Sequence, residues 1–189
     1  MHCTIRPARA SEWQVLKQLR IAALTQAPDA FGPTVAAAMT FDDEYWQGFA
    51  RYFESPWRHM FIAAINDQEV SENADESPQV TSAGAPAHDA LGLISAGRER
   101  DGTGHLGAFW VDPRSRGTGL GARLFDTALR WLEQDLQCAR VELSVTEGNE
   151  QAEAMYRRRG FARSGRIEPL RPGSALRNIY MTKTVAPRT

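Results

Sequence analysis

The stretch from residue 106 to residue 121, Leu-Gly-Ala-Phe-Trp-Val-Asp-Pro-Arg-Ser-Arg-Gly-Thr-Gly-Leu-Gly, constrains the fold more than any other part of the chain. An apolar strand ends at Val111, Pro113 turns the backbone, and a glycine-rich loop opened by Arg116 runs straight into an amphipathic helix starting near Gly119. A helix start presents unpaired N–H groups and the positive end of its dipole, which together favour an anion. Glycine lets the backbone approach a bulky phosphate and take positive φ without a Cβ clash. The segment is therefore expected to cradle a pyrophosphate.

Several glycine-loop readings compete at this point. A Walker loop needs Lys and then Ser or Thr after its last glycine, and Ala122 and Arg123 stand there instead, so that reading fails. Gly117-x-Gly119-x-x-Ala122 matches the dinucleotide fingerprint, with alanine in its third place. That fingerprint turns tightly out of its strand, whereas residues 112–116 intervene here. About seventy residues follow the loop, few for the remaining strands of a doubly wound domain. A glycine loop serving only as a connection is the plainest alternative.

The rest of the chain alternates strand and helix patterns. Residues 3–7 fit a first strand. Ser11-x-x-Gln14 has the form of a capping box, and Val15, Leu16, Leu19, Ala22 and Ala23 then keep helical spacing to about Gln26. A loop over 27–33 leads to a helix over about 41–54 with Tyr45, Trp46, Phe49 and Phe53 as its apolar side. Residues 61–65 form a strand of the buried type, 90–98 the next strand paired with it, and 104–111 the fourth. Leu120, Leu124, Ala128, Leu132 and Leu136 step along one face of the helix after the loop. A strand over 140–145, a helix over 150–159 and strands near 161–165 and 178–184 complete the order. No internal repeat is visible.

Residues 66–90 differ from their surroundings. They are rich in Ser, Ala, Pro, Asp and Glu, and too poor in apolar groups to offset their ordering entropy. The composition predicts a disordered or loosely held hairpin insertion within one domain that spans residues 1–189.

The residues Val111-x-Pro113-x-x-Arg116-Gly117-x-Gly119-Leu120-Gly121-x-x-Leu124 resemble the acyl-CoA motif of the GCN5-related N-acetyltransferase (GNAT) superfamily, whose signature Arg/Gln-x-x-Gly-x-Gly/Ala is met by Arg116, Gly119 and Gly121. A second segment agrees: a strand candidate over 141–145, then Asn149-x-x-Ala152-x-x-x-Tyr156 before Arg-Arg-Arg-Gly-Phe161. In the superfamily that pattern is strand five followed by a helix carrying a cofactor-contacting Asn and a Tyr near the CoA sulfur. Ile5-Arg6-Pro7 and Asn178-Ile-Tyr-Met181 resemble its first and last strands. The resemblance implies a single α/β domain with a mixed, mostly antiparallel central sheet of six to seven strands. Helices would cover both faces, and strands four and five would splay apart.

The same resemblance implies acetyl-CoA as cosubstrate and a small-molecule or peptide amine as acceptor. The backbone of Phe109, Trp110 and Val111 would bind the pantetheine arm lying in the splay. Arg116, Gly117, Thr118, Gly119, Leu120, Gly121 and Ala122 would hold the pyrophosphate. Asn149 would cap its helix, contact the cofactor arm, or do both, and Tyr156 would protonate the departing thiolate as general acid. Many members use a strand-four Glu as base, and residues 106–111 contain no carboxylate. Glu99, Glu142, Glu147 and His105 are near enough in sequence to be considered, and none has a motif. Phe31, Trp46, Glu168 and Arg171 fall where an acceptor would be framed. A non-catalytic acyl-CoA-binding module is the reading that the missing carboxylate keeps open.

Charge narrows the partners. The formal net charge is −1, but six acids and no Lys or Arg fall within 66–90, so the remainder carries 22 basic against 17 acidic residues. A mildly basic body suits a polyanionic cosubstrate. The surplus is too weak for nucleic acid, and no aromatic-interleaved basic stripe is present. No run of 18 apolar residues exists to span a membrane, and there is no apolar signal stretch, which together predict a cytoplasmic protein. Cys3 and Cys138 are read as unpaired thiols, His2, His59 and His88 lack metal-ligand spacing, and no metal is expected. The resemblance also admits a homodimer.

Overall fold

The computed structural model describes residues 3–65 and 90–186. In chain order the elements are β1 (Cys3–Pro7), α1 (Trp13–Gln26), α2 (Val35–Met39), α3 (Asp43–Phe53), β2 (Arg58–Ile65), β3 (Ala90–Arg98), β4 (Thr103–Val111), α4 (Leu120–Arg130), β5 (Arg140–Thr146), α5 (Glu150–Arg157), β6 (Ala162–Pro169) and β7 (Arg177–Thr184). The seven strands form one sheet in the order β1-β2-β3-β4-β5-β7-β6, antiparallel throughout except for the parallel pair β4 and β5. The expected mixed sheet with helices on both faces is thus the observed one. The insertion expected at 66–90 lies, up to its last residue, outside the described residues. Ala90 itself pairs with Ala64 as the start of β3.

Alternation along the strands divides the core in two. Phe61 and Ala63 of β2, with Val141, Leu143 and Val145 of β5, pack under α4 and α5 together with Leu124, Phe125 and Tyr156. Met60 and Ile62 point the other way, against Leu16, Leu19, Ala23, Trp46 and Ala50 of α1 and α3. A sheet covered on both faces needs apolar residues at both parities, which explains the unbroken apolar run in β2. The edge strand β6 is exposed along almost its whole length and is correspondingly polar.

Some local expectations are corrected. α1 does not start on a Ser11–Gln14 box. Glu12, buried at 6% exposure, instead accepts from the Arg9 backbone N–H at 2.8 Å and takes both nitrogens of Arg6 at 2.8 and 2.6 Å. A buried carboxylate left unpaired is costly, so Glu12 takes over the turn that Ser11 was expected to cap. The helix expected over 41–54 is shorter, and the five-residue α2 precedes it. α4 gives way to a π-helical turn at Trp131–Asp135 that still keeps Leu132 in the core.

Candidate active site

The site begins where β4 and β5 part. The two strands pair only between residues 103–106 and 140–143, although β4 continues to Val111 and β5 to Thr146. The cause lies in β4. Ala108 has φ +49°, and the β3–β4 register shifts by one between the Leu93–Trp110 and Ser95–Gly107 pairs. A bulge of this kind bends its strand and reverses side-chain phase. Leu106 accordingly joins the α4-side core, Phe109 and Val111 rejoin that side after the bulge, and Trp110 is sent into the α1-side core at 5% exposure. Of the two aromatic residues, Trp110 is the one whose side chain is core, while Phe109 packs edge-on against Phe125 at 5.7 Å.

A cleft of about 880 Å³ passes through the gap and is walled on both sides of the sheet. On the α4 side it meets Phe109, Val111, Arg116, Gly117, Gly119, Gly121 and Ala122, with Asn149, Ala152 and Tyr156 of the β5–α5 segment facing them. Trp110 also lines it. Gly117 and Gly119 have φ of +78° and +82°, and Gly119 is the N-cap of α4. A residue with a Cβ pays about 1–2 kcal/mol in that region, so the loop requires glycine there for conformation. At Gly121 the demand is for space: an added Cβ would stand 3.4 Å from Val111 Cγ2 and 3.5 Å from Phe109 Cζ. Thr118 and Leu120 do not line the cleft with their side chains. The Thr118 hydroxyl donates to Ser115 O at 2.7 Å, and Leu120 is core. Arg116 Nε donates to Val111 O at 3.3 Å, tying the loop back to the end of β4.

Asn149 caps α5, its Oδ1 accepting from Ala152 N at 3.2 Å, and it also faces the cleft. Tyr156 is 7% exposed and packs against Phe125 in a tilted contact and Phe161 edge-on, with ring centroids 5.2 and 6.3 Å away. Its hydroxyl has no hydrogen-bond partner among the described residues and is not sealed from the cleft. Burial pushes the phenol up to about 12, against a small opposing pull from Arg159. Asp126 holds that Arg159 with bonds of 2.5 and 3.1 Å.

No Asp, Glu, His or Cys of the described residues lines the cleft. Glu99 pairs with Arg58 at 3.3 Å beside a separate surface pocket. Glu142 lies between Arg166 at 3.5 Å and His105 at 3.8 Å, on the sheet face that α1 shares but outside the cleft lining. Glu147 is exposed in the loop after β5. Of the residues expected to frame an acceptor, Phe31 lines the cleft and Trp46 is core. Glu168 accepts from the Tyr180 hydroxyl at 2.8 Å, and Arg171 donates to Pro28 O and Phe31 O. Arg20, which lines the α1 side, is among the cleft residues that the sequence reading did not single out. Its signal was there, a cation midway between Leu16 and Leu24 in an apolar stripe of helical spacing.

Residues 39–161 match the model of the acetyltransferase (GNAT) family, and the chain belongs to that family. It is 32% identical over 158 residues to a mycothiol acetyltransferase of Salinispora tropica, covering 80% of this chain and 51% of that protein. It is also 32% identical over 69 residues to a spermine/spermidine N(1)-acetyltransferase of Bacillus subtilis, covering 36% of this chain and 45% of that one. The chain thus spans about half the length of the curated relatives it matches. Among solved structures, a GNAT-family acetyltransferase from Streptococcus pneumoniae superposes with a TM-score of 0.72 at 18% identity, over 98% of this chain and all of that one, a likeness of fold.

Proposed function

We propose that the protein transfers an acetyl group from acetyl-CoA to a primary amine by direct attack within a ternary complex. The observation that carries this reading is the single cleft that crosses the splayed β4–β5 pair, with the glycine loop and Tyr156 on one side and an open wall on the other. The residues suit the cosubstrate. Gly117, Thr118 and Gly119 precede the first turn of α4, so their N–H groups and those of Gly121 and Ala122 are available to a pyrophosphate, while the Leu120 N–H donates to Thr118 Oγ1 at 3.4 Å. The facing edges of β4 from Gly107 and β5 from Ser144 are unpaired toward each other, and an extended pantetheine arm can bond to such an edge as an added strand would.

Acetyl-CoA supplies the activated acetyl group and a thiolate leaving group. Tyr156 holds a proton at Oη for that sulfur, and its raised value keeps the proton in place across the physiological range. No Ser–His or Cys–His pair lines the cleft among the described residues, which favours direct attack over an acyl-enzyme. With no carboxylate there either, the acceptor amine enters as its free base or gives its proton to water.

The test is thiol release from acetyl-CoA with a panel of amines, alongside thermal-shift titration with CoA, NAD and ATP. Amine-dependent release, with CoA stabilising most, supports the reading. CoA binding without release on any amine would favour an acyl-CoA-binding module, which the carboxylate-free lining also suits. Stronger stabilisation by NAD or ATP would replace both.

A further inference from the structure

The α1 side of the cleft contains a cation, Arg20, with no counter-ion among the described residues. Arg20 sits one turn from Leu16 and one from Leu24, both fully buried, so α1 turns it inward. Its guanidinium stands 5.3 Å from the centroid of the Phe31 ring. The loop carrying Phe31 is fixed by Arg171, which donates to Pro28 O and Phe31 O at 3.2 Å each, and by the Thr146 hydroxyl, which donates to Asp29 O at 2.7 Å. Arg20 is therefore held against a rigid wall.

No oxygen among the described residues accepts a hydrogen bond from Arg20, and its Nη1 is sealed from solvent as well. Desolvation pulls the guanidinium below the usual arginine value, with only a weak counter-effect from Tyr45 and none from a carboxylate. The contrast with its neighbours is plain. Lys17, one turn earlier on α1, has Asp43 at 2.8 Å, and Arg6, below the start of the helix, has Glu12. The indole Nε1 of Trp110, which the β4 bulge sends to the α1 side, also lacks an acceptor, but it is sealed from the cleft and carries no weight here. Trp46 Nε1 is also unmatched but lies outside the cleft lining and carries no weight here. Unmatched buried donors cost the desolvation of each group, and a charged one costs most.

We propose that the acceptor carries a carboxylate beside its amine, and that Arg20 holds this carboxylate on the α1 side while the amine faces the splay. The proposal rests on the acetyl-transfer reading of the cleft. The planar guanidinium matches a carboxylate with two parallel hydrogen bonds, and its Nε–Nη2 edge, unlike Nη1, is not sealed. A polyamine would instead bring like charge to Arg20 and find no carboxylate in the lining among the described residues. The substrate class is thus an amino acid or another aminocarboxylate. A free amino acid and the acidic side chain of a peptide offer the same group.

The experiment measures kcat/KM by thiol release on matched acceptors, with CoA affinity by calorimetry as the control. The pairs are 4-aminobutanoate against 1,4-diaminobutane, L-methionine and L-phenylalanine against their carboxamides, and a tetrapeptide amide with Glu in its second position against one with Gln. The carboxylate member should lead by roughly 10–100-fold in at least one pair, the size of a charge-assisted hydrogen bond. The arm showing the lead, free acid or peptide, identifies the source. Arg20→Gln should erase it mainly by raising KM, Arg20→Lys should restore part, and CoA affinity should hold in both. The wild-type comparison decides even if a variant fails to fold. Equal rates within every pair, a preference for the diamine, or a preference that survives Arg20→Gln would overturn the proposal and leave acetyl transfer standing. If CoA does not bind, or no acceptor releases thiol, the acetyl-transfer reading falls and takes the proposal with it.

Discussion

On the α4 side of the cleft the polar groups offered are mostly backbone: the N–H groups of the Gly117–Gly119 loop and of the first turn of α4, and the open edge of β4. On the α1 side the group offered is a side chain, Arg20, set in place by α1 and by packing against Phe31. A wall made of backbone forces its own sequence, because positive φ and close approach admit little besides glycine. A wall made of side chains leaves the backbone regular and the sequence free to vary. The first wall suits a ligand common to a whole family, and the second suits whatever distinguishes one member from another.

The largest effect is expected at Tyr156, on the α4 side of the cleft. Tyr156→Phe keeps the ring packed on Phe125 but removes the proton, so turnover should fall by roughly 10²–10⁴-fold while CoA affinity is kept. The loss should appear in kcat as well as kcat/KM, because the bond to sulfur forms only in the transition state. Single-turnover rates equal to wild type would make Tyr156 a core residue. The pH profile gives a second check. The phenol acts in its protonated form, and burial pushes it up to about 12, so the chemical step should rise as the amine loses its proton and then stay level beyond pH ~10, where an ordinary tyrosine ionises.

Next in size are the glycines of the backbone wall. Gly119→Val asks a β-branched residue to take φ +82° and should weaken CoA binding by roughly tenfold or more through loss of the aimed N–H groups. Gly121→Val should act by crowding Val111 and Phe109. Calorimetry that finds CoA affinity unchanged in both would remove the phosphate cradle. Arg116→Ala should be milder, since the backbone donors remain.

The legibility of the sequence follows the same division. The loop, the cap at Asn149 and the placing of Tyr156 seven residues later were readable because each answers a local need: positive φ, an orphan N–H, helical spacing. The splay could be anticipated only through resemblance. Its local cause is a bulge at Ala108, and an alanine at φ +49° leaves no mark in the sequence. Arg20 was passed over because a lone arginine on an amphipathic helix is ordinarily solvated, and only the fold shows which face is buried. The Ser11–Gln14 box looked sound locally and lost to a tertiary pair, Arg6 with Glu12, that spans strand and helix.

That pair offers a smaller test, one of the α1 scaffold behind the side-chain wall, since neither residue lines the cleft. Arg6 holds the Glu12 carboxyl below the usual range through its hydrogen bonds, against desolvation. A depressed carboxyl contributes stability above its unfolded value and loses it as pH falls through the acid range. Arg6 is 39% exposed, so solvent screens the pair, and Glu12→Gln should cost about 1 kcal/mol, or about 2–4 °C in Tm. Melting curves of the two proteins should converge below pH ~4. If the gap persists there, the Glu12 contribution is one of packing.

The smallest effect is expected from the segment between β2 and β3. Ala64 and Ala90 are register partners, so the chain leaves and re-enters the sheet at one place and a short turn can join the two strands. The residues between them are acidic and poor in apolar groups, and loop length alters closure entropy only slowly. Replacing residues 68–88 with a short Gly-Ser turn should therefore shift Tm by no more than about 2 °C. A fall beyond about 5 °C, on the order of 2 kcal/mol, would mean that the segment packs on the body. The same variant also sharpens the contrast between the walls. The replaced residues hold four of the chain's acids, and carboxylates are what the cleft lining lacks among the described residues. Unchanged kcat/KM on both members of the 4-aminobutanoate and 1,4-diaminobutane pair would leave acceptor recognition to Arg20 and its neighbours. A selective loss on the diamine would assign the segment a share in recognising cations.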